Sequence, residues 1–515
     1  MPKSLRLIIQ GIMANKTNKF KRNLKKQGPI VTIIFLCLVI ALVSFILNLF
    51  KVSGNITEAG TLETSIVTVN NIFSKEGIKY ILNNSIINFS LMDSIIYIIM
   101  SLMAVSMLES SGLLKHILRP LTKLKSWYVT LIFVFIGVIS TILGDFSYPL
   151  LIPLAGVAYK LLGKNPTLGI ITMFLGLSIG YGVGLVPNYQ DYMLGLITTQ
   201  SATSIDSSYT YNLFSTYFIS IVSVVILTLS ATFLIEKLLV KKFLRYDEKD
   251  KYNLSKKALY TSLIVGCVLL GIVIYSIIPG LPFSGILLND TYKVYIARVF
   301  GKDSAFGNGY MLIIVGLAII CSYIYGRISG NIRNSNDTTN SLTKSFDNTG
   351  YIFVLLFFSS IMLGLLEWSN IGSVIATNVV DFIGSLNFGG VPLLFVVFIA
   401  IIFISILMPL TLTKWNIIAP IFVPVLMRAN ITPSFAQTLF VAADAAGKLF
   451  SPIYLYLIIA IGFLYKEDSS MNTSIFSTMK KMMPTIILLT LIYFVIIVGW
   501  YLIGLPLGFN TSITM

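Results

Sequence analysis

Residues 405–454 read SILMPLTLTKWNIIAPIFVPVLMRANITPSFAQTLFVAADAAGKLFSPIY. The stretch is mostly apolar, as a membrane span should be, yet it carries charged, aromatic and helix-breaking residues. These are Lys414, Trp415, Pro420, Pro433, Asp444, Lys448 and Pro452. Ionisable groups in apolar spans are costly and suggest a functional site, and broken helices at membrane depth persist only where they line a protein-enclosed cavity. The stretch therefore predicts a substrate or ion site built on interrupted helices.

The first half of the chain contains a similar stretch. Residues 144–166, GDFSYPLLIPLAGVAYKLLGKNP, match residues 411–433, TLTKWNIIAPIFVPVLMRANITP. A shift of 267 residues superposes two pairs of prolines, Pro153 on Pro420 and Pro166 on Pro433. Paired, interrupted apolar segments in two halves point to a transporter site at a repeat interface. The alternative is a chance likeness between two apolar stretches.

After the second proline, each half runs into an apolar segment that is expected to break. The first break should involve Gly180, Gly182, Gly184 and Pro187. The second should lie between Asp444 and Pro452. These glycines allow close approach and unusual dihedrals, although helix packing in membranes also uses glycine. The prolines at 187, 420, 433 and 452 are expected to shape the backbone.

Composition identifies the class of protein. Of 515 residues, 56% are hydrophobic and 11% are charged, whereas soluble domains carry about 25% charged residues. We interpret the chain as an all-α polytopic membrane protein with one transmembrane domain over residues 1–515. The formal net charge of +16 lies mostly in short loops between spans, which is the positive-inside signal. The expected partner is therefore the lipid bilayer, not nucleic acid.

Catalytic or metal chemistry is not expected. Cys37, Cys267 and Cys321 fall in apolar runs and form neither a disulfide framework nor a metal motif. His116 is the single histidine and sits among basic residues. An intramembrane enzyme would need a nucleophile–base or metal constellation. We therefore expect a protein that is not an enzyme and holds no cofactor.

Basic flanks set the expected topology. Residues 1–28 hold eight basic residues and no acidic one, which places the N-terminus in the cytoplasm before an uncleaved span at 29–50. The basic loop 236–257 should be cytoplasmic too. The amphipathic segments 72–89 and 369–390 should lie along the outer surface.

Two segments are predicted to be re-entrant hairpins. Residues 128–162 have basic flanks on both sides, so they should leave and return on one face, with a tip near Asp145. The alternative is two full spans joined by a short loop. Residues 391–429 should enter from the opposite face. With about nine spans, the hairpins would belong to inverted repeats with cores at about 92–200 and 350–466, in the cytoplasmic membrane.

Three side chains are candidates for function. Asp145 could bind a cation, take a proton or hydrogen-bond a substrate, or backbone N–H groups could satisfy it. Asp444 with unwound carbonyls would suit Na⁺, or it forms a structural ion pair with Lys448, four residues on. Trp415 offers a flat face to an aromatic ligand, or it packs the hairpin.

The segment TKWNIIAPIFVPVLM with the later Pro433, Asp444 and Pro452 resembles the second-hairpin signature of the p-aminobenzoyl-glutamate transporter (AbgT-type) family. GDFSYPLLIPLAGVAY and GKNPTLGIITMFLGLSIGYGVGL resemble its first-half counterpart, and the resemblance covers nearly the whole chain. It implies a homodimeric inner-membrane secondary transporter with nine spans and two hairpins. The family is linked to p-aminobenzoyl-glutamate uptake and to export of sulfonamide antimetabolites.

The resemblance also implies site residues. Family functional positions correspond to Asp145, Trp415, Pro433, Asp444 and Pro452, and Ser405 takes a small polar tip position. Three positions depart from the family pattern: Leu412 replaces a serine, Val441 an arginine and Lys448 an asparagine. Because a carboxylate-bearing ligand would want a cation, Lys448 is the candidate to replace that arginine.

These observations predict a secondary active transporter for a small aromatic or anionic metabolite or drug, driven by a proton or sodium gradient. An ammonium group at Lys448 would compete with sodium near Asp444, which favours protons. The alternatives are a channel-like permease, which would need no broken repeats, and a transporter of another small carboxylate within the wider ion-transporter superfamily.

Overall fold

The computed structural model describes residues 28–57, 63–240, 252–386, 388–467 and 474–515. Residues 1–27 of the predicted cytoplasmic N-terminus lie outside this part of the chain. So do residues 241–251, the centre of the predicted cytoplasmic loop 236–257.

Helices dominate the described structure, because apolar runs of this length satisfy their backbone polar groups within the segment. The helices up to residue 300 are α1 (Pro29–Leu49), α2 (Lys75–Ser90), α3 (Asp93–Ser110), α4 (Leu113–Leu118), α5 (Ser126–Ile139), α6 (Ser147–Leu161), α7 (Pro166–Gly180), α8 (Tyr189–Ala202), α9 (Tyr217–Leu238), α10 (Lys256–Ile277) and α11 (Tyr295–Phe300). The later helices are α12 (Ala305–Ser329), α13 (Ser335–Thr343), α14 (Gly350–Trp368), α15 (Ile371–Gly384), α16 (Gly390–Leu407), α17 (Thr411–Arg428), α18 (Pro433–Leu449), α19 (Leu455–Glu467) and α20 (Ile475–Ile503). Short 3-10 segments occupy Arg119–Lys123, Ser140–Phe146 and Lys344–Phe346.

Nine helical segments of the described chain are long and apolar enough to cross a membrane, which confirms an all-α polytopic protein with about nine spans. The predicted spans and these nine candidate helices are not the same segments. The predicted broken spans occur as pairs of shorter helices, α7 with α8 and α18 with α19. Segments assigned to hairpins, 126–161 and 390–407, are instead among the nine candidates.

A short β-hairpin was not predicted. Strands β1 (Ser53–Thr57) and β2 (Thr64–Thr68) pair antiparallel and pack on α15, where Asn378 donates to the Ser53 carbonyl at 2.8 Å. A side chain at Gly54 would collide with Thr377. An isolated two-stranded hairpin is marginal in water, so it depends on a helix distant in sequence, which local patterning does not reveal.

The two halves repeat one order of elements. α5, a tip, α6 and α7 precede the first break and α8, while α16, a tip, α17 and α18 precede the second break and α19. Pro153 lies inside α6 and Pro420 inside α17. Pro166 and Pro433 both lie in the first turn of their helices, where proline's missing N–H costs nothing. The prolines matched in sequence thus occupy equivalent positions in the fold.

Both ends of the α5–α6 segment lie at one end of the bundle. Lys164 donates to Ser126 Oγ at 2.9 Å, and Lys115 donates to the Leu161 carbonyl at 3.2 Å. The same end carries Glu109, whose Oε1 is 3.5 Å from the ammonium nitrogen of Lys344. The segment therefore turns back on itself, as a hairpin must.

The ends of the α16–α17 segment lie at the other end. Phe435, just past α17, stacks on Tyr501 with ring centroids 6.1 Å apart, and an added Cβ at Gly390 would lie 3.7 Å from the Tyr501 hydroxyl. α19 ends near Lys344, because its Lys466 donates to the Ser345 carbonyl, and α20 begins eight residues after α19 ends. Tyr501 lies near the far end of α20, which spans about 43 Å at 1.5 Å per residue. The two hairpins thus point toward each other. That they are re-entrant in a bilayer stays a prediction.

Candidate functional site

The Asp444 carboxylate is the centre of a buried polar cluster. Ser405 Oγ donates to Oδ1 at 2.8 Å, and Thr411 Oγ1 donates to Oδ2 at 2.5 Å. Lys414 pairs with Oδ1, and Lys448 Nζ lies 3.1 Å from Oδ2. All five residues are buried. Since a lone buried charge is costly and a paired one much less so, these contacts are what allow the charges inside the bundle.

The second hairpin tip delivers three of these side chains. Ser405 lies in the last turn of α16, Thr411 begins α17, and Lys414 follows one turn later. Between the two helices, the chain passes through Pro409, which cannot continue α16. Breaking the helix at this point turns side chains from both of its ends toward α18.

Close approach of α16 and α18 depends on a glycine. A Cβ added at Gly447 would lie 2.6 Å from the Ser405 Cβ and 2.9 Å from the Ile402 Cα. A side chain at this position would therefore push the tip away from Asp444.

Asp444 and Lys448 do not lie in unwound chain, contrary to the sequence-based expectation. α18 continues to Leu449, and the break covers residues 450–454 around Pro452. The segment AADAAGK is rich in alanine, the strongest helix former, and the proline disturbs only the turn before it. The carboxylate is therefore held by side chains rather than by unwound carbonyls.

A cavity of about 310 Å³ borders this cluster. Asp145 of the first tip and Thr413 of the second tip both line it. Tyr181 from the first helix break and Tyr454 from the second line it as well, and Lys448 lies in its wall. Both tips and both breaks thus converge on one space, as expected for a site at a repeat interface.

Asp145 is held at a sharp turn. Gly144 before it has φ 58° and ψ −145°, a conformation that favours glycine, and Ser147 donates to the Gly144 carbonyl at 2.7 Å. The Asp145 side chain is exposed to the cavity, and the Tyr456 hydroxyl is close enough to interact with it. The carboxylate is therefore available to a ligand.

Three tyrosines line the cavity, Tyr181, Tyr454 and Tyr456. Tyr148 and Tyr456 stack with ring centroids 4.1 Å apart, and Tyr454 donates to the Tyr148 hydroxyl at 2.9 Å. The ammonium of Lys448 lies 3.6 Å from the ring centroid of Tyr181, a favourable cation–π distance. The lining thus combines aromatic faces with hydroxyl groups and one cation.

Trp415 packs the hairpin in this conformation. It has no exposed surface, stacks on Phe440 with ring centroids 4.2 Å apart, and donates from Nε1 to Thr198 Oγ1 at 3.0 Å. Thr198 in turn donates to Gln437 Oε1 at 2.7 Å. The indole therefore ties α17 to α8 and α18.

The predicted backbone breaks occur, although the glycines act through packing. Gly180 ends α7, and a Cβ there would lie 2.5 Å from the Val138 Cα. A Cβ added at Gly182 would lie 3.1 Å from the Val441 carbonyl oxygen. Gly184 and Pro187 lie in the loop before α8, and positive φ is absent from this described break.

Thr411 and Lys414 were not predicted as site residues. Lys448 was the predicted cation near Asp444, and Lys414 is a second one. Lys414 was visible in sequence as a charge in an apolar stretch. Ser405, Thr411 and Lys414 lie six and three residues apart across Pro409. That spacing was the available signal for a polar face, because a proline-broken helix can present both of its ends to one partner.

Comparison with known proteins identifies the family. The sequence model of the AbgT putative transporter family matches residues 23–515. The p-aminobenzoyl-glutamate transport protein of Escherichia coli (strain K12) is 25% identical over 491 residues, covering 94% of each chain.

Two solved structures are similar to this chain. The Alcanivorax borkumensis YdaH transporter is 24% identical with a TM-score of 0.49, over 94% of this chain and 100% of that one. Neisseria gonorrhoeae MtrF, described as illuminating a class of antimetabolite efflux pumps, is 23% identical with a TM-score of 0.48, over 94% of this chain and 97% of that one.

The predicted family is confirmed by the match over residues 23–515, and the chain belongs to the AbgT putative transporter family, whose characterised relatives are transport proteins and not enzymes.

Proposed function

We propose that this protein is a secondary active transporter that moves a small anionic, aromatic metabolite or drug, driven by a proton or sodium gradient. The observation that carries the proposal is the convergence of both hairpin tips and both helix breaks on one cavity. Alternating access would move the hairpin-bearing core against the remaining helices around this fixed site.

The lining supports an anionic aromatic substrate. A volume of about 310 Å³ is at the small end of ligand pockets. Tyr181, Tyr454 and Tyr456 offer aromatic faces, and the Lys448 ammonium offers a partner to a carboxylate. The E. coli relative is named for p-aminobenzoyl-glutamate, an aromatic anion of this chemical class. We take the protein to be a homodimer in the cytoplasmic membrane, with its N-terminus in the cytoplasm.

Counterflow in liposomes tests the proposal. Purified protein is reconstituted, the vesicles are loaded with unlabelled p-aminobenzoyl-glutamate, and entry of the labelled compound is followed. A transporter gives saturable uptake that unlabelled compound inside accelerates, and imposed proton or sodium gradients make it concentrative. Flux that rises linearly with concentration and ignores the trans side would instead indicate a channel.

A matched pair of variants ties flux to the cavity. Lys448→Ala removes the cation in the cavity wall, whereas Lys237→Ala removes an exposed lysine at the end of α9. Counterflow should be lost in the first variant and kept in the second. If other small carboxylates exchange while p-aminobenzoyl-glutamate does not, the transporter assignment stands and the substrate assignment fails.

A further inference from the structure

Each oxygen of the Asp444 carboxylate meets one ammonium group and one hydroxyl group. Oδ1 contacts Lys414 and Ser405, and Oδ2 contacts Lys448 and Thr411. The hydroxyls also bind the ammonium groups, since Lys414 Nζ is 2.7 Å from Ser405 Oγ and Lys448 donates to Thr411 Oγ1. Each ammonium group thus has a carboxylate oxygen and a hydroxyl oxygen as neighbours, which are the ligands that a hard metal cation prefers.

The charges in this cluster do not balance. Lys414 and Lys448 face the single carboxylate of Asp444, so the cluster carries one excess positive charge. A metal cation at either carboxylate oxygen would sit beside two ammonium groups. In a buried site of low dielectric, like charges at such distances repel strongly, and the oxygens that would offset the repulsion are already bonded.

We infer that Lys414 and Lys448 are built-in counter-cations of Asp444, which occupy the positions that an alkali metal ion would take. The site of this chain then binds no sodium, and its transport does not use a sodium gradient. Only the statement about transport rests on the proposed function, because sodium binding at the site can be measured without any substrate.

The two lysines differ in access. Lys414 has no exposed surface, whereas Lys448 lies in the cavity wall. Replacing Lys448 by asparagine would leave a neutral Lys414–Asp444 pair. The amide oxygen is two bonds closer to the backbone than the ammonium, so it would face the vacated position beside Oδ2 and the Thr411 hydroxyl. That variant therefore opens a site with three oxygen donors, next to a cavity through which an ion can arrive.

Thermal unfolding of the purified protein tests this. Sodium chloride replaces choline chloride at constant ionic strength, and the melting temperature is followed as the sodium fraction rises. A ligand that binds only the folded state raises the melting temperature in a saturable way. The unsubstituted protein should show no sodium-specific shift. Lys448→Asn should show a saturable rise of a few degrees, which potassium produces weakly or not at all.

Two controls separate charge from general effects. Lys448→Arg keeps the positive charge and should stay insensitive to sodium, and Lys237→Asn removes an exposed lysine elsewhere and should stay insensitive too. If Lys448→Asn does not fold, Lys414→Asn removes the other ammonium and should gain the sodium response.

A saturable sodium-specific stabilisation of the unsubstituted protein would overturn the inference, and so would sodium insensitivity of every folded lysine-to-asparagine variant in the cluster. Loss of counterflow with an unchanged sodium response would count against the proposed function alone. The two proposals therefore fail separately.

Discussion

Lys448 Nζ lies 3.1 Å from Asp444 Oδ2, one helical turn away on α18, with both side chains buried. The pair was an alternative raised by the sequence, where spacing of four residues suggested it. The structure adds Lys414 from the second hairpin on the other carboxylate oxygen. Asp444 therefore links the second hairpin tip to α18. Its carboxylate pairs with two lysines, one on each oxygen, and not with one as in a simple ion pair.

The arrangement predicts an order of stabilities. Asp444→Asn leaves two buried ammonium groups without a carboxylate, and breaking a buried pair in this way costs roughly 3–5 kcal/mol. Lys448→Ala and Lys414→Ala each leave one lysine on Asp444, so each should melt well above Asp444→Asn.

Restoring neutrality should recover stability without function. Adding Lys414→Met and Lys448→Asn to Asp444→Asn removes the uncompensated charges, so the triple variant should melt above Asp444→Asn while counterflow stays absent. Thermal melting in one detergent gives the order. If Asp444→Asn melts like the unsubstituted protein, the cluster is solvated and not a buried charge network.

Trp415 gives the second prediction, because its contacts are internal. Trp415→Phe keeps a ring against Phe440 but loses the hydrogen bond to Thr198, which should cost about 1 kcal/mol. Trp415→Ala also empties the ring's volume and should cost about 3–5 kcal/mol. Counterflow by Trp415→Phe should keep the unsubstituted KM. A large rise in KM with unchanged melting would instead place the indole in contact with the substrate.

Local chemistry made the repeated framework predictable. Pro166 and Pro433 sit in the first turn of α7 and α18, and proline at that position is readable from one segment. Pro187 and Pro452 lie in the two helix breaks, because proline is disfavoured in a helix interior. The apolar runs predicted the helices because length and composition alone decide whether a segment can span a membrane.

What the sequence missed depends on contacts between distant segments. Thr198 is 217 residues from Trp415, and their hydrogen bond forms only when α8 packs on α17. Ser405 reaches Asp444 because Gly447 lets α16 approach α18, and Lys414 reaches the same carboxylate from α17, beyond Pro409. Neither spacing nor composition encodes such a crossing, so Lys414 could be noticed as a buried charge but not placed.

Topology gives the third prediction. Cys37, Cys267 and Cys321 are first replaced by serine, and single cysteines are then introduced at Lys123, Lys164 and Thr514. Lys123 and Lys164 flank the α5–α6 segment, whose ends lie together, so both cysteines should react with an impermeant reagent only from the cytoplasmic side. Thr514 lies past the opposite end of α20 and should react from outside. Labelling of positions 123 and 164 from different sides would show that the segment crosses the membrane without turning back.

Asp145 gives the last prediction. Its carboxylate is exposed to the cavity at the first hairpin tip, in the wall that it shares with Lys448. With the Asp444 carboxylate already bonded to four side chains, Asp145 is the carboxylate of the cavity wall that can take up a driving proton or bind a polar substrate group. Asp145→Asn preserves shape and removes the charge, so the protein should reach the membrane and melt close to the unsubstituted protein.

The decisive measurement separates exchange from net flux in that variant. If Asp145 takes up the driving proton, gradient-driven uptake by Asp145→Asn should fall at least tenfold. Counterflow at zero gradient should survive, because exchange needs no net proton movement. Asp191→Asn serves as a matched control, since Asp191 caps the start of α8 through Asn188 and does not line this cavity. Full concentrative uptake by Asp145→Asn would show that the carboxylate only shapes the tip. Loss of both uptake and exchange would place Asp145 on the substrate instead of on the proton.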